Sequence, residues 1–352
     1  SHYKMTHRST IITRIFTAAG LVGEAYAGDE DAGLAEIDQI IHEEIAPKIL
    51  GEDGSAIERL WEIARPATWD ILRDRRLGLV ATASIDLTLW DLYARSLSTP
   101  LYKLWGGYRN WIPVITIGGY YNSEMSIQEE VESLVEQGFA GMKFKVGGLT
   151  PKEDAKRFKE ARKHGGDNFR IAVDANQGYS VPDAIEFSHL VQGDNLLWFE
   201  EPCQWQNDKR AMRDVRYAGG VPVCAGQTEF SAAACRDLME VGAIDFCNFD
   251  SSWSGGPTEW RRAAATAHLY DIKMAHHEEP QAASHLLASI PHGTYLEFFH
   301  KDRDPIWHNL IANRPPLKDG NITLTDAPGL GWELDRDYAD KYLINSRRTE
   351  KK

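Results

Sequence analysis

Between residues 112 and 299 the chain alternates apolar, β-prone runs with polar runs of helical period, and few architectures accept that rhythm. The apolar runs are IPVITI (112–117), GMKFKV (141–146), FRIAVD (169–174), NLLWFE (195–200), VPVCAG (221–226), AIDFCNF (243–249), DIKMAH (271–276) and TYLEFF (294–299). Segments such as SIQEEVESLVEQG and PKEDAKRFKEARKHG separate them. The second of these opens with Thr150 as N-cap, Pro151 in the first turn and Glu153 two residues later, a capping box with proline in its preferred place. Repeated strand–helix units build a parallel sheet, because parallel neighbours need a crossover. Eight strands with seven helices fit a (β/α)8 barrel whose last helix is replaced or displaced. A doubly wound open sheet is the rival, but it needs a Gly-rich phosphate turn after an early strand, and GGLTPKED lacks the GxGxxG order.

A chain of 352 residues also exceeds one small core. Before residue 112 the texture changes: IITRIFTAAGLVGEAYAG reads as two antiparallel strands, and LAEIDQIIHEEIAPKIL and LVATASIDLTLWDLYARSLS read as amphipathic helices. After residue 313 the chain returns to loop and short strand. The expected organisation is an α+β domain over 1–111, a barrel over 112–313, and a segment 314–352 that returns to the first domain.

A net charge of −13 argues against a nucleic-acid or anionic-membrane surface, while leaving room for a small anionic substrate in a locally cationic site. No apolar run is long enough to span a bilayer, and the opening residues lack a signal-peptide pattern. Cys203, Cys224, Cys235 and Cys247 show no CxxC pairing, so they read as small buried hydrophobes in a reducing compartment, and a cytoplasmic location is expected.

GMKFKV puts Lys143 and Lys145 on one side of a strand. Either the strand lies at a sheet edge, where lysine is common, or it ends among anions that offset the cost of burying ammonium groups. The other strand ends favour anions. Lys145, Asp174, Glu200, Gln227, Asp250, His277 and Glu297 follow one another at intervals of 20 to 29 residues, about one strand–helix unit each. In a parallel barrel those ends converge on the C-terminal face, where such barrels carry their sites. A lone Asp there is often only a helix cap; seven ionisable or strongly polar strand ends in succession are not explained that way. Acids gathered from consecutive strands repel unless a divalent cation neutralises them, and hard oxygen donors suit Mg²⁺, or Mn²⁺. On the far side His277 and Asp250 have the makings of a carboxylate–imidazole dyad for proton transfer.

In order and spacing, KFK, VDAN, WFEEP, NFDSSWSGG, HHEEPQAASHL and YLEFF, with DAPGLGWELD near the end, resemble the mandelate racemase subgroup of the enolase superfamily, over roughly residues 21–337. The resemblance implies a modified (β/α)7β barrel with an α+β capping domain completed by the C-terminal segment. It also implies Mg²⁺-assisted removal of the proton α to a carboxylate, through an enediolate, and symmetric homo-oligomers. By position, Asp174 and Glu200 match metal ligands and Glu201 stands behind them. Lys145 matches the base on one face, with Lys143 supporting it and touching the substrate carboxylate, and His277 with Asp250 match the dyad on the other. Glu297 matches the acid that hydrogen-bonds the enediolate oxygen.

One position departs from the pattern. Where the family has Gly-Glu after the fifth strand, this chain has Gly226-Gln227-Thr228-Glu229. Glu229 falls on the same side of an extended chain and restores a third carboxylate, so it is taken as the ligand, with Gln227 as neighbour or water-mediated ligand. Asn176, Tyr120 and Trp253 join Lys143 as substrate-binding candidates, and the stretch around Tyr26 and Arg65–Trp69 is expected to close over the distal end. The combination of KxK strand and His–Asp dyad implies dehydration of an aldonate or aldarate to a 2-keto-3-deoxy acid. Racemisation or epimerisation of an α-hydroxy acid is the alternative, and a non-catalytic sugar-acid-binding barrel a second one.

Overall fold

The computed structural model describes residues 7–30 and 33–351. Two strands, β1 (Ser9–Phe16) and β2 (Val22–Glu30), pair antiparallel as a hairpin. A second sheet contains β3 (Trp111–Gly118), β4 (Gly141–Lys145), β5 (Arg170–Asp174), β6 (Leu196–Glu200), β7 (Val223–Ala225), β8 (Phe246–Cys247), β9 (Lys273–Met274), β10 (Leu296–Phe299) and β11 (Asn321–Thr323). Strands β3 to β9 are parallel neighbours in chain order, and β10 runs parallel to the other edge of β3. The ring closes where the Thr294 N–H donates to the Met274 carbonyl (2.8 Å) and the Met274 N–H to the His292 carbonyl (2.9 Å). Seven helices (127–136, 151–165, 181–191, 208–219, 232–240, 257–269 and 280–289) fill the crossovers, and among the described residues none of comparable length follows β10.

The local signals act as the sequence suggests. Thr150 caps helix 151–165 through a complete box with Glu153, and Ser126 does the same for helix 127–136 with Glu129. Helix 75–96 departs from the expected amphipathic pattern and is buried on nearly every side, because the hairpin covers one face and the barrel the other. Its Asp86 accepts from the Thr258 N–H and hydroxyl, both at 2.8 Å, and its Trp90 indole donates to the same hydroxyl at 2.9 Å. Residues 34–49 are also less regular than expected, with a π-helical turn at Ile40–Ile45 before Pro47.

After residue 313 the chain touches both parts. Strand β11 pairs antiparallel with β3, while Arg336 grips Glu24 of β2 with two bonds of 2.6 Å. All four cysteines are buried and free. No helix among the described residues is long and apolar enough to cross a membrane.

Candidate active site

Within the ring, Ile115, Ala172, Trp198, Cys224, Phe246 and Ala275 form a small apolar plug separate from the main core. Alternation along each strand then dictates what lies above it. Two residues beyond Ala172 is Asp174, two beyond Trp198 is Glu200, and two beyond Ala275 is His277. The same parity on β4 puts Lys143 and Lys145 inside while Met142 and Phe144 join the outer core. Strand β4 is paired on both sides, so the edge explanation for its lysines fails.

Lys143 is 1% exposed and donates to Glu200 Oε1 at 2.7 Å and Glu297 Oε2 at 2.8 Å, with Asp174 Oδ2 at 3.9 Å. Burial opposes its charge, but Glu200, Glu297 and Asp174 more than offset that and hold the ammonium well above its ordinary range. Lys145 donates to Asp174 Oδ2 at 2.5 Å and Asn176 Oδ1 at 2.9 Å, and Asp174 likewise raises it against burial. Burial pushes Asp174 up, but Lys145 and Lys143 carry it below the usual carboxylate range. Glu200 goes the other way: burial, with Asp174 and Glu297 adding repulsion, pushes it up to about 8 despite Lys143. Its second oxygen accepts from the Trp198 indole at 3.0 Å. Glu297 Oε1 is buried without a partner.

Across the ring, His277 Nδ1 lies 2.9 Å from Asp250 Oδ2. Asp250 is fixed by Ser252, whose N–H and hydroxyl donate to its other oxygen at 2.8 and 2.7 Å. Burial would raise Asp250, yet its bonds to His277 and Ser252 bring it below the ordinary value. The neighbouring His276 is a structural residue. Its Nε2 accepts from the Ser251 N–H at 3.0 Å, so Nδ1 carries the proton and donates to the His277 carbonyl at 2.9 Å. Trp253 packs on the His277 ring at 4.9 Å between centroids, and Arg76 of the capping helix covers Trp253 at 4.9 Å.

The segment after β7 lacks the extended geometry on which the expectation for Glu229 rested. Gly226–Glu229 is a turn, closed by the Glu229 N–H on the Gly226 carbonyl at 3.1 Å, with Gly226 at φ 141°. The chain is not extended there, and Glu229 faces Lys209 of helix 208–219 at 3.8 Å. Gln227 exchanges two bonds of 3.2 Å with Asn248. Glu201 supports this turn, accepting from Gly226, Thr228 and Gln177, and burial pushes it up to about 7. Among the described residues no group of three or more His, Cys, Asp and Glu side chains is gathered tightly enough to hold a metal.

Tyr120 lies beneath the Arg303 guanidinium at 3.8 Å. Tyr121 instead bonds Asp154 and is part of the frame. Tyr26 is clamped by its backbone to Gln281, and Trp69 remains 60% exposed on the capping domain. Glu278, Arg8 and Arg76 were not legible as site residues. Adjacency to His277 in HHEEP was the one available signal for Glu278.

A parallel barrel with lysines on its second strand, acids on the third, fourth and eighth, and a His–Asp dyad on the seventh and sixth defines an enolase-type site. The chain belongs to that superfamily, in the mandelate racemase group. Residues 1–106 match the family described as mandelate racemase / muconate lactonizing enzyme, N-terminal domain, and residues 126–338 match the enolase C-terminal domain-like family. It is 27% identical over 347 residues to arabinonate dehydratase of Saccharolobus solfataricus, covering 96% of this chain and 91% of that protein. It is 30% identical over 341 residues to 3,6-anhydro-alpha-L-galactonate cycloisomerase of Streptomyces coelicolor, covering 95% and 91%. A crystal structure of a mandelate racemase/muconate lactonizing enzyme from a marine actinobacterium, in complex with magnesium, superposes with a TM-score of 0.95 at 59% identity, covering 97% of this chain and 96% of that one.

Proposed function

We propose that this protein dehydrates an acid sugar, an aldonate or aldarate, to a 2-keto-3-deoxy acid. The observation that carries the reading is the pairing of Lys145, on the second barrel strand, with the His277–Asp250 dyad at the ends of the seventh and sixth, around the Asp174, Glu200 and Glu297 carboxylates.

The donor set fits a divalent cation: Asp174 and Glu200 are hard oxygen ligands, and Glu200 is pushed up to about 8 by burial, with Asp174 and Glu297 repelling its charge despite Lys143. Asp174 and Glu200 would hold it, with the amide oxygen of Gln227 as third donor and Glu229 left with Lys209. A cation bound there would supply positive charge to the substrate carboxylate. Burial opposes the charge of Lys145 and Asp174 supports it, and in its neutral form this side chain would accept the α-proton. Lys143 meets the substrate carboxylate, and the open Glu297 Oε1 offers a hydrogen-bonding group to the enediolate oxygen. His277 donates its Nε2 proton to the leaving β-hydroxyl, which departs as water; Asp250 keeps the ring oriented and stabilises its charged form. The enol product then ketonises.

The same two-sided site can return a proton to the opposite face of the α-carbon, which would be epimerisation. A panel of aldonates and aldarates incubated with magnesium in deuterated water separates the two. Ketoacid from one sugar supports dehydration; α-deuterium without ketoacid from any of them replaces it with epimerisation; neither signal across the panel refutes both.

A further inference from the structure

Glu278 follows His277 directly and stands in a conformation that residues with a side chain seldom adopt. Its φ is 47° and that of Glu279 is 46°, two left-handed residues in succession without a glycine. With Asn176, Gln177 and Glu201 they make five of the nine non-glycine residues with positive φ among the described residues that fall just beyond the ends of β5, β6 and β9. Strained backbone kept at strand ends facing a site is a pointer to function. Here its effect is visible. The turn sets Glu278 Oε1 3.3 Å from His277 Nε2, the nitrogen left over once Nδ1 is engaged by Asp250. The second oxygen, Oε2, accepts from Arg8 at 3.1 Å. Arg8 precedes β1, so this carboxylate ties the capping domain to the catalytic imidazole. The arm is seated at this point: the Arg8 guanidinium lies 4.4 Å from the centre of the Phe299 ring, and Gln281 bonds both backbone groups of Tyr26. The side chains of Arg8 and Glu278 are only 10% and 17% exposed.

We infer that Glu278 is a positioning residue for His277: bridged to Arg8, its carboxylate holds the outer imidazole nitrogen as a proton donor until a substrate oxygen takes its place. Seating of the capping arm thereby tunes the dyad. The inference rests on the reading of His277 as a proton donor, but not on which acid sugar is the substrate.

The groups around His277 fix the signs. Burial and Lys143 from β4 oppose the imidazolium, whereas Glu278 and Asp250 support it and together raise the group above its ordinary value. His276, in the preceding position, is held below its ordinary value by burial. Trp253, from the turn after β8, presents a ring backed by the Arg76 cation. Glu279 is buried beside Asp250, Asp304 and Glu278, and burial holds it well above the usual carboxylate range. Tyr120 lies within reach of the Glu278 charge, and burial raises it. Removing the charge of Glu278 must therefore lower the basicity of His277. Removing the charge of Arg8 must raise it, because the Glu278 carboxylate is then less compensated. A purely structural role for either residue gives no reason for opposite signs.

The test is an NMR titration of the His277 ring in the full-length protein without substrate, the signal being assigned by its loss in His277→Asn. The Glu278→Gln variant is expected to titrate about one pH unit or more below the unaltered protein, the scale of a unit charge at hydrogen-bond distance. The Arg8→Gln variant is expected to titrate above it, and Arg8→Lys to return it toward the starting value. Shifts of the same sign in both variants, or none in Glu278→Gln, overturn the inference. The titration needs no turnover, so a failed sugar screen leaves it readable, and a failed titration leaves the dehydratase reading standing.

Discussion

Asp86 offers a quantitative test of how the capping helix is held to the barrel. It is 2% exposed, and both of its oxygens accept from Thr258 at 2.8 Å. Burial, with a smaller contribution from Glu58, outweighs those bonds and Arg262 and pushes its carboxyl from 3.8 to about 7. In the unfolded chain the same group ionises near 3.8. The folded protein therefore binds the extra proton between those values, and stability falls with rising pH across that window. The contribution is fully present below about 3.8 and is lost as pH passes through about 7. Three pH units at 1.36 kcal/mol each make it roughly 4 kcal/mol. The Asp86→Asn variant keeps an acceptor for the Thr258 N–H and can donate to its hydroxyl, but it does not titrate. Urea unfolding of both proteins from pH 4 to 8 isolates the term, because other groups cancel in the difference. The variant is expected to gain on the unaltered protein by up to about 4 kcal/mol over that range. A difference that stays flat with pH would show that Asp86 is already ionised in the fold and that its burial has been misjudged.

Other substitutions probe the barrel and the site. A Cβ on Gly141 would lie 2.0 Å from the Arg170 carbonyl oxygen, so Gly141→Ala must spread β4 from β5 and is expected to cost roughly 1–3 kcal/mol in urea unfolding. Lys143→Met leaves Glu200 and Glu297 buried without their shared cation, and a loss of about 3–5 kcal/mol is expected by the same assay. For the third cation donor, Gln227→Leu is expected to weaken magnesium binding by calorimetry by about 10-fold or more, and Glu229→Gln by far less. The reverse order would restore Glu229 as the ligand.

The barrel was legible because its signals are local and repeated. The strand–helix rhythm, the capping boxes at Ser126 and Thr150, and a polar residue at seven of the eight strand ends all point one way. Alternation put Lys143 and Lys145 on one side of their strand and the strand-end spacing gathered Asp174, Glu200 and His277, and the structure brings these residues to the interior of the ring. The extended geometry assumed for Glu229 did not hold because the turn at Gly226–Glu229 overrides period-two logic, and no residue type there announced it. Helix 75–96 looked one-sided because its second covering, the hairpin of the capping domain, is a tertiary fact. Glu278 escaped notice because its orientation depends on two left-handed residues without glycine and on an arginine 270 positions away.

The most direct test of a two-sided site is made with the His277→Asn protein, magnesium and, in deuterated water, the acid sugar that the unaltered protein converts. If Lys145 removes the α-proton and His277 serves the leaving group, deuterium enters the α-position while ketoacid formation collapses. Loss of exchange together with ketoacid would make His277 the base, and undiminished ketoacid would remove it from the reaction.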